Sequence, residues 1–243
     1  MRVVAIVQAR MGSSRLPGKV LEEIGGKTML ARVVRRLRRA TLLDEVIVAS
    51  TVTPADEAVA VECIRLEAPC FRGSEEDVLD RYYRAALTHR AEAVVRITAD
   101  CPFIEPVIVD RVVRAFLDEG PDYASNTLKR TYPRGLDTEV VSTAALERAW
   151  REAILEHQRI HVTPYIYQNV NLFRLLPVIG ESDYSRYRWT VDTRQDLEFA
   201  RAVYARLNQD EAFTWRAVLA LLEREPTLIE LNRHVDQKLL EEG

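Results

Sequence analysis

The chain has 243 residues, of which 47% are hydrophobic and 29% are charged, and its formal net charge at pH 7 is −3. This composition is typical of a soluble globular protein with a sizeable core, and the length suits one large domain or one domain with a small extension. No apolar stretch is long enough to span a bilayer, and the net charge gives no overall attraction to nucleic acid, so we expect neither a membrane nor a nucleic-acid partner.

The cysteines and the N-terminus indicate the cellular context. Cys63, Cys70 and Cys101 are odd in number and form no C-x-x-C pair, so we expect a reducing cytoplasm rather than a disulfide framework or a zinc site. The apolar run at the N-terminus covers only residues 3–7. It is shorter than the hydrophobic part of a signal peptide, so we expect no such peptide.

Strand-like and helix-like patterns alternate along the first half of the chain. Short apolar runs predict strands at residues 3–8, 45–49, 70–72 and 93–97. Amphipathic patterns predict helices at residues 28–40, 56–66, 76–89 and 108–117. Because the two types alternate with short loops, the sequence predicts an α/β fold with a parallel sheet and helices on both faces.

The first predicted helix carries a run of arginines opposite its apolar stripe. These are Arg32, Arg35, Arg36, Arg38 and Arg39. No aromatic residues are interleaved with them, so the pattern favours a solvated polar face over a nucleic-acid site.

The pattern changes after residue 123. We interpret residues 126–178 as an insertion that leaves the main sheet, with a turn at Pro133 and Gly135, a helix at 144–156 and a strand-like run at 172–179. The chain then returns through a predicted strand at 186–192 and a helix at about 195–207. We therefore expect one domain over residues 1–207 and a helical C-terminal extension over residues 208–243.

Three cations and no acid lie in the loop that follows the first predicted strand, in the sequence QARMGSSRLPGKVL at residues 8–21. Gly12 permits a tight turn, and Arg10, Arg15 and Lys19 are donors suited to polyphosphate oxygens. Ligands of open α/β sheets bind at this edge of the sheet. The spacing fits neither a Walker A loop nor the dinucleotide fingerprint. The alternative is a basic surface loop without a ligand.

Two acids directly follow predicted strands. Asp100 follows the strand at 93–97 in RITADCPF, and Asp192 ends the strand at 186–192 in WTVDTRQDLE. Both would emerge at the edge of the sheet where the first loop lies, and carboxylates are ligands for the Mg²⁺ that accompanies a triphosphate. The alternatives are a helix cap for Asp192 and a structural role for Asp100.

A third group of polar residues lies in the insertion. Asp137 and Glu139 are two residues apart in GLDTEVV and would share one face of a strand. They suit either a polar acceptor site or a solvated strand. His161 in HVTPYIY suits either a structural or an acceptor-site role.

Together these segments resemble the sugar-acid cytidylyltransferases, which make CMP-activated acidic sugars such as CMP-KDO and CMP-sialic acid. The resemblance is strongest for their spore coat polysaccharide biosynthesis branch. After the first loop, which is highly specific, the matching blocks are moderately specific and follow in the same order: FRGSEEDVLDRY (71–82), RITADCPFI (96–104), GLDTEVV (135–141), HVTPYIY (161–167) and RWTVDTRQDLE (188–198). The resemblance covers about residues 1–207, and the C-terminal residues beyond carry no such block.

The resemblance implies a nucleotide-diphospho-sugar transferase type of fold, with a mixed, mostly parallel sheet. It implies that the chain transfers CMP from CTP to a sugar acid and releases pyrophosphate, with Mg²⁺ as cofactor, for surface polysaccharide biosynthesis. It also implies a cytoplasmic homodimer, with the insertion forming part of the acceptor site and a dimer contact.

The resemblance also implies roles for individual residues. The implied nucleotide-binding residues are Gln8, Ala9, Arg10, Gly12, Ser13, Arg15, Lys19, Arg72, Gly73 and Ser74. Arg10, Lys19 and Asp100 would be catalytic, and Asp100 with Asp192 would hold the metal. Asp137, Glu139 and His161 would bind the acceptor.

The chain departs from the KDO enzymes in one block. Those enzymes carry a Gln-Gly-Asp-Glu-Pro type sequence where this chain has TADCP at residues 98–102. One alternative function is therefore a nucleotidyltransferase for another sugar or a sugar phosphate, with Lys129, Arg130 and Arg134 as extra cations. The other is a non-catalytic nucleotide-binding or glycosyltransferase-like protein.

Overall fold

The computed structural model describes residues 1–208 and 212–237. Within these residues, the strands are β1 (Val3–Gln8), β2 (Glu23–Ile24), β3 (Lys27–Thr28), β4 (Glu45–Thr51), β5 (Cys70–Gly73), β6 (Ala93–Thr98), β7 (Tyr123–Ser125), β8 (Glu139–Ser142) and β9 (Leu175–Pro177). The α-helices are α1 (Met29–Leu37), α2 (Glu57–Arg65), α3 (Val78–Thr88), α4 (Pro106–Glu119), α5 (Thr143–Glu152), α6 (Glu156–His161), α7 (Pro164–Gln168), α8 (Arg194–Arg206) and α9 (Trp215–Arg224). Short 3₁₀ helices occupy Lys19–Leu21, Pro54–Asp56 and Pro226–Leu231.

Seven strands form one sheet in the order β5-β4-β1-β6-β8-β7-β9. Strands β5, β4, β1 and β6 are parallel, whereas β8 is antiparallel to both of its neighbours, β6 and β7. Strand β7 pairs parallel with β9. The prediction of a mixed, mostly parallel α/β sheet is thus confirmed. The carboxyl ends of β1 and β6 lie side by side, because Gln8 is in register with Thr98.

Helices cover both faces of the sheet, as predicted. On one face, Val3, Ala5 and Val7 of β1 pack with residues of α1, α2 and α4. On the other face, Val4 and Ile6 pack with residues of α3 and α5. The buried run of β1 therefore contributes to two cores at once, which is why it is continuously apolar.

The interpretation of residues 126–178 as an insertion that leaves the sheet is wrong. Strand β8 lies between β6 and β7, and β9 forms the edge of the same sheet. The reason is visible in β8, where Val140 packs in the core on one face and Val141 in the core on the other. A strand that buries consecutive side chains on opposite faces belongs inside a sheet. The predicted helix at 144–156 is also divided, because α5 ends at Glu152 and α6 begins at Glu156.

The predicted strand at 186–192 is likewise not a strand. It makes a single bridge, between Arg188 and Arg134. Its alternating apolar residues, Tyr187, Trp189 and Val191, are buried in a third hydrophobic cluster outside the sheet. The alternation that suggests a strand thus reflects one buried side of an extended segment.

The prediction of a solvated arginine face on α1 is wrong for two residues. Arg32 and Arg36 are fully buried, while Arg35, Arg38 and Arg39 are exposed. Arg32 donates to the carbonyl oxygen of Ile24 and lies over the ring of Tyr204, 4.5 Å from its centroid. The reason is that the third cluster, which includes residues of α8 and α9, covers this side of α1. The first helix is therefore packed on two sides.

The C-terminal residues pack against the main body. Leu219 and Leu222 of α9 and Leu228 of the last 3₁₀ helix are buried with residues of α8. The domain boundary at residue 207 stays a prediction, and its extension includes residues 209–211 and 238–243, which lie outside the described residues. In the described part of the chain, no helix has the length and apolarity needed to cross a membrane.

The buried position of Arg36 gives a test on stability. Its Nε donates to the carbonyl oxygen of Ile104 at 2.7 Å, and its Nη2 lies 3.4 Å from the buried carboxylate of Glu105. We expect Arg36→Ala to lower the free energy of unfolding by about 3–5 kcal/mol, because it leaves a buried charge without its partner. Urea denaturation measures this. Arg35→Ala, an exposed arginine of the same helix, is the control and should stay within about 0.5 kcal/mol of the wild type. Equal losses in the two variants would contradict the buried role.

Candidate active site

The loop after β1 folds back on itself and borders a cavity of about 290 Å³. The carbonyl oxygen of Met11 accepts hydrogen bonds from the backbone N–H groups of Ser13 and Gly18, each at 2.9 Å. Gly18 has a φ of 72°, a left-handed conformation that glycine adopts without strain. The cavity, which we call the loop cavity, is lined by Gln8, Arg10, Gly12, Ser13, Ser14, Arg15, Lys19, Val20, Thr98, Ala99, Asp100 and Asp192.

Lys19 joins Asp100 and Asp192. Its Nζ lies 2.7 Å from Oδ2 of Asp100 and 2.7 Å from Oδ1 of Asp192, and it donates to the carbonyl oxygen of Val191 at 2.9 Å. The Lys19 side chain is 11% exposed. Burial alone would lower the pKa of Lys19, but the two carboxylates outweigh burial and raise the pKa above its usual value. The ammonium group is therefore charged, and its three donors are all engaged.

Asp192 is surrounded by cations. Its Oδ2 lies 2.9 Å from the guanidinium of Arg15 and 2.8 Å from that of Arg188. Burial alone would raise the pKa of Asp192, but Lys19, Arg15 and Arg188 lower it to about 2. Asp192 is not the cap of α8, because that position is taken by Thr193 in a capping box with Asp196. The cap interpretation of Asp192 is thus excluded.

The other carboxylate, Asp100, is held from two directions. Its Oδ1 accepts a hydrogen bond from the hydroxyl of Thr98 at 2.5 Å, while its Oδ2 faces Lys19. Its backbone carbonyl accepts from the N–H of Val191 at 2.8 Å. The end of β6 is therefore tied directly to the segment that carries Asp192.

The donor set fits a magnesium ion that is completed by substrate. Asp100 and Asp192 each place one oxygen 2.7 Å from the same ammonium nitrogen, so the two carboxylates converge on a position already held by a cation. No group of three or more His, Cys, Asp or Glu side chains suited to a metal occurs among residues 1–208 and 212–237. Mg²⁺ is commonly bound by one or two carboxylates together with phosphate oxygens and water, which matches this pair.

The other predicted nucleotide-binding residues, Ala9, Arg72, Gly73 and Ser74, do not line the loop cavity. The side chain of Ala9 is buried in the core. Arg72 donates to the carbonyl oxygen of Thr51 at 2.9 Å and pairs with Glu57. The segment that follows β5 approaches the first loop through Glu75, whose carboxylate lies 3.9 Å from the guanidinium of Arg10. Their roles in nucleotide binding stay predictions.

A second cavity, of about 470 Å³, borders strands β6 and β8. We call it the insertion cavity, and its lining residues are Arg96, Thr127, Leu128, Arg130, Arg134, Asp137, Glu139, His161, Thr163 and Tyr167. It brings together all three predicted acceptor-binding residues, Asp137, Glu139 and His161. Their predicted role in acceptor binding stays a prediction.

The two acids of the insertion cavity are already engaged with arginines. Asp137 accepts two hydrogen bonds from the guanidinium of Arg130, at 2.5 and 2.9 Å. Glu139 pairs with Arg96, which lies opposite it in the β6–β8 register, and also accepts hydrogen bonds from Tyr123 and Thr163. Glu139 thus holds the Arg96 side chain in place. Its engaged oxygens leave it less suited to contact an acceptor directly than the sequence pattern suggests.

Two arginines were not identified as site residues from the sequence: Arg96, which lines the insertion cavity, and Arg188, which pairs with Asp192. Arg96 interrupts the apolar run AVVRIT of β6, and a charged residue in a central strand is itself a signal of a polar site. Arg188 lies in the apolar alternation of RYRWTVD and contacts both Asp192 and Asp196. Asn232, from the C-terminal segment, donates to Asp196 at 2.9 Å. It therefore helps to hold the carboxylate that pairs with Arg188. No pattern in the sequence indicates the contact between Asn232 and Asp196.

The sheet, the cation-rich loop and the two acids joined by Lys19 are the features expected of a nucleotidyltransferase, and the comparison with known families shows that class. A family model described as cytidylyltransferase matches residues 4–230. The chain belongs to this cytidylyltransferase family.

Three relatives are similar to this chain over different shares of its length. The chain is 36% identical to an uncharacterized protein of Methanocaldococcus jannaschii, over 98% of this chain and 97% of that protein. It is 33% identical to the spore coat polysaccharide biosynthesis protein SpsF of Bacillus subtilis, over 92% of this chain and 95% of that protein. It is 36% identical to the 3-deoxy-manno-octulosonate cytidylyltransferase of Pelobacter propionicus, over 53% of this chain and 49% of that protein.

Two solved structures have the same fold. A cytidylyltransferase from Leptospira borgpetersenii superimposes with a TM-score of 0.91 at 31% identity, covering 98% of this chain and 99% of that one. A CMP:2-keto-3-deoxy-manno-octonic acid synthetase complexed with CTP superimposes with a TM-score of 0.64 at 22% identity, covering 85% of this chain and 99% of that one. The second likeness concerns the fold alone.

The low pKa of Asp192 predicts a dependence of stability on pH. A carboxyl group whose pKa is about 2 in the folded protein stabilises the fold above its ordinary pKa, 3.8, and loses this contribution as the pH falls toward 2. We expect Asp192→Asn to lower the free energy of unfolding by about 2 kcal/mol at pH 7, with the difference shrinking between pH 4 and pH 2. Urea denaturation across this range measures it.

The control for this test is Asp118→Asn, since Asp118 is exposed on α4. It should match the wild type within about 0.5 kcal/mol at every pH. If Asp192→Asn lowered the free energy of unfolding by the same amount at pH 3 as at pH 7, the cations around this carboxylate would not account for its contribution to stability.

Proposed function

We propose that this protein transfers CMP from CTP to a sugar acid of the ulosonic or nonulosonic type, with release of pyrophosphate and with Mg²⁺ as cofactor, in surface polysaccharide biosynthesis. The observation that carries the proposal is the arrangement of two cavities along β6. Thr98 lines the loop cavity and Arg96 lines the insertion cavity. These residues are two apart on one strand, so their side chains share a face and their Cα atoms are roughly 7 Å apart. A nucleotide and an acceptor bound in the two cavities would meet at this strand.

The loop cavity suits the triphosphate. Arg10, Arg15 and Lys19 place three cationic side chains around it, and charge-assisted donors of this kind bind phosphate oxygens strongly. The Bacillus and Pelobacter relatives are named for polysaccharide biosynthesis and for cytidylyl transfer to 3-deoxy-manno-octulosonate, which supports CTP as the nucleotide.

The insertion cavity suits an anionic acceptor with one negative charge. It is lined by three arginines and two acids, so one positive charge is in excess. Arg96 pairs with Glu139 and Arg130 with Asp137, whereas Arg134 makes no ion pair with the acids of the described chain. Burial and the nearby guanidinium of Arg130 lower the pKa of Arg134, so an anion beside it would relieve this repulsion. A sugar carboxylate matches this single excess charge.

The same charges argue against a sugar phosphate as acceptor. That alternative needs Lys129, Arg130 and Arg134 together to meet a dianion. Arg130 is occupied by Asp137, and Lys129 is exposed and does not line the cavity. One unpaired arginine remains, which suits a carboxylate better than a phosphate.

In the proposed reaction, a hydroxyl oxygen of the sugar acid attacks the α-phosphorus of CTP. The bond from this phosphorus to the pyrophosphate oxygen breaks, the hydroxyl proton passes to solvent water, and CMP-sugar and pyrophosphate are formed. Catalysis of this kind depends on positioning and on charge stabilisation. Arg10, Arg15 and Lys19 would bind and neutralise the pyrophosphate, and Arg134 would orient the acceptor. Mg²⁺ held by Asp100 and Asp192 would polarise the phosphate oxygens.

A cytoplasmic homodimer, with the segment 126–178 at the dimer contact, is also part of the proposal. Size-exclusion chromatography with light scattering measures the oligomeric state directly.

Nucleotide preference is the first test of the proposed activity. We expect CTP with Mg²⁺ to raise the thermal unfolding temperature more than ATP, GTP or UTP, because a ligand at about 100 times its Kd adds about 2.7 kcal/mol to the stability of the folded state. With KDO or N-acetylneuraminate as acceptor, pyrophosphate should be released from CTP. Stabilisation by CTP without any release would favour the non-catalytic alternative, and no stabilisation by any nucleotide would overturn the proposal.

Asp100 provides a test of the acid pair. We expect Asp100→Asn to lower kcat at least 100-fold, by analogy with removing one preorganised charge-stabilising group. Asp118→Asn is the control and should retain full pyrophosphate release. Turnover near that of the wild type in Asp100→Asn, at saturating Mg²⁺, would exclude the metal-binding role of this carboxylate.

Arg134 provides a test of the acceptor site. Since it is the unpaired cation of the insertion cavity, we expect Arg134→Gln to raise KM for the acceptor by about 10-fold to 100-fold, the range for a hydrogen bond to a charged group, while KM for CTP stays within twofold. Arg151→Gln, an exposed arginine of α5, is the control. A rise in KM for CTP instead would place Arg134 on the nucleotide.

A further inference from the structure

Lys19 holds a position that the proposed function needs for two other groups. All three of its donors are engaged, by Asp100, Asp192 and the carbonyl oxygen of Val191, at 2.7, 2.7 and 2.9 Å. While it stays there, it has no donor left for a phosphate oxygen. It also lies between the two carboxylate oxygens that would bind a metal ion.

The remaining oxygens of the two carboxylates are engaged as well. Oδ1 of Asp100 accepts from Thr98, and Oδ2 of Asp192 lies within 2.9 Å of both Arg15 and Arg188. A divalent cation that enters the free protein therefore meets acids that are already neutralised. It can gain both carboxylates only if the ammonium group of Lys19 leaves.

A triphosphate supplies the reason for Lys19 to leave. Lys19 lines the loop cavity together with Arg10, Ser13 and Arg15, so phosphate oxygens bound there would compete with Asp100 and Asp192 for its protons. The long, flexible lysine side chain can change partner by rotating about its own bonds, whereas the planar arginine is more restricted. Nucleotide binding and metal binding therefore favour each other. Phosphate oxygens that bind the ammonium group leave the carboxylates open to a metal ion, and a metal ion on the carboxylates leaves the ammonium group open to phosphate.

We propose that Lys19 is an exchangeable cation that occupies the metal position in the free protein and couples metal binding to nucleotide binding. The inference rests on the proposed function for the identity of the nucleotide. The displacement of Lys19 by a metal ion involves only residues of this chain. Two ligands that favour the same displacement bind cooperatively, and such coupling commonly changes affinity about 5-fold to 150-fold. The free protein therefore binds a divalent cation weakly, although two carboxylates converge at the site.

The test measures Mn²⁺ binding to the free protein by electron paramagnetic resonance, with no nucleotide present. The wild type should bind Mn²⁺ weakly, and Lys19→Gln should bind it about tenfold or more tightly, because the acids lose their internal cation. Removing a positive charge anywhere strengthens cation binding slightly, so Lys27→Gln is the matched control. It removes the same charge from β3, outside the loop cavity, and should change Mn²⁺ affinity less than about twofold.

A measurement on the wild type covers the case in which Lys19→Gln does not fold. The chain has four lysines, Lys19, Lys27, Lys129 and Lys238, so the ¹⁵N spectrum of lysine ammonium groups is simple. The Lys19 signal should be observable in the free protein, because its protons are hydrogen-bonded, and should shift when Mg²⁺ alone reaches saturating concentration. The Lys27 signal should not shift.

The outcomes separate this inference from the proposed function. If Lys19→Gln and the wild type bind Mn²⁺ equally, or if saturating Mg²⁺ leaves the Lys19 signal in place, the exchange does not occur, whatever the nucleotide. If Mn²⁺ binding improves in Lys19→Gln but CTP does not bind, the exchange stands and the cytidylyl-transfer proposal fails. Tighter Mn²⁺ binding in Lys27→Gln, to the same extent as in Lys19→Gln, would reduce the effect to general electrostatics and overturn the exchange.

Discussion

The ammonium group of Lys19 between Asp100 and Asp192 is the contact on which the site depends. It joins three parts of the chain that are far apart in sequence: the loop after β1, the end of β6 and the segment before α8. Two carboxylates that contact the same ammonium nitrogen are close enough to repel each other, and burial strengthens the repulsion. A cation between them therefore stabilises the meeting of the end of β6 with the segment before α8. The same convergence makes the position attractive to a metal ion, so the stability of the free protein and its proposed chemistry use one set of charges.

Much of the fold could be predicted because β1 and its neighbours follow simple patterns. Val3 to Val7 are apolar without alternation, which indicates a strand buried on both faces, and the helices between the strands have clear stripes. In such a sheet, the residues that follow parallel strands meet at one edge. This rule brings the first loop and Asp100 together in the prediction as it does in the structure. It also places Asp192 correctly, although the segment before it is extended and not a strand.

The predictions that are wrong share a cause. Local periodicity does not indicate which distant part of the chain packs over a helix or beside a strand. Arg32 and Arg36 have the spacing of a solvated face, yet α8 and α9 pack over them, and these helices lie far along the chain, beginning at Arg194 and Trp215. Likewise, the short apolar run of β8 gives no indication that it lies next to β6. The contacts of Glu139 were likewise not visible in the sequence, while its role in acceptor binding stays a prediction. Its spacing from Asp137 predicts only a shared strand face and does not indicate that Arg96 and the hydroxyl of Tyr123 engage it.

The close contact at Gly135 connects the two cavities mechanically. Gly135 has a φ of 104°, and a Cβ atom there would lie 2.6 Å from the backbone nitrogen of Thr190. Only glycine lets the backbone beside Arg134 approach the segment before Asp192 this closely. Arg134 then exchanges two backbone hydrogen bonds with that segment, to Tyr187 at 2.9 Å and from Trp189 at 2.7 Å. The backbone of the unpaired arginine in the insertion cavity is therefore fixed to the strip of chain that ends in Asp192. Together with the hydrogen bond from the N–H of Val191 to the carbonyl oxygen of Asp100, these contacts tie the segment before Asp192 both to the end of β6 and to the wall of the insertion cavity.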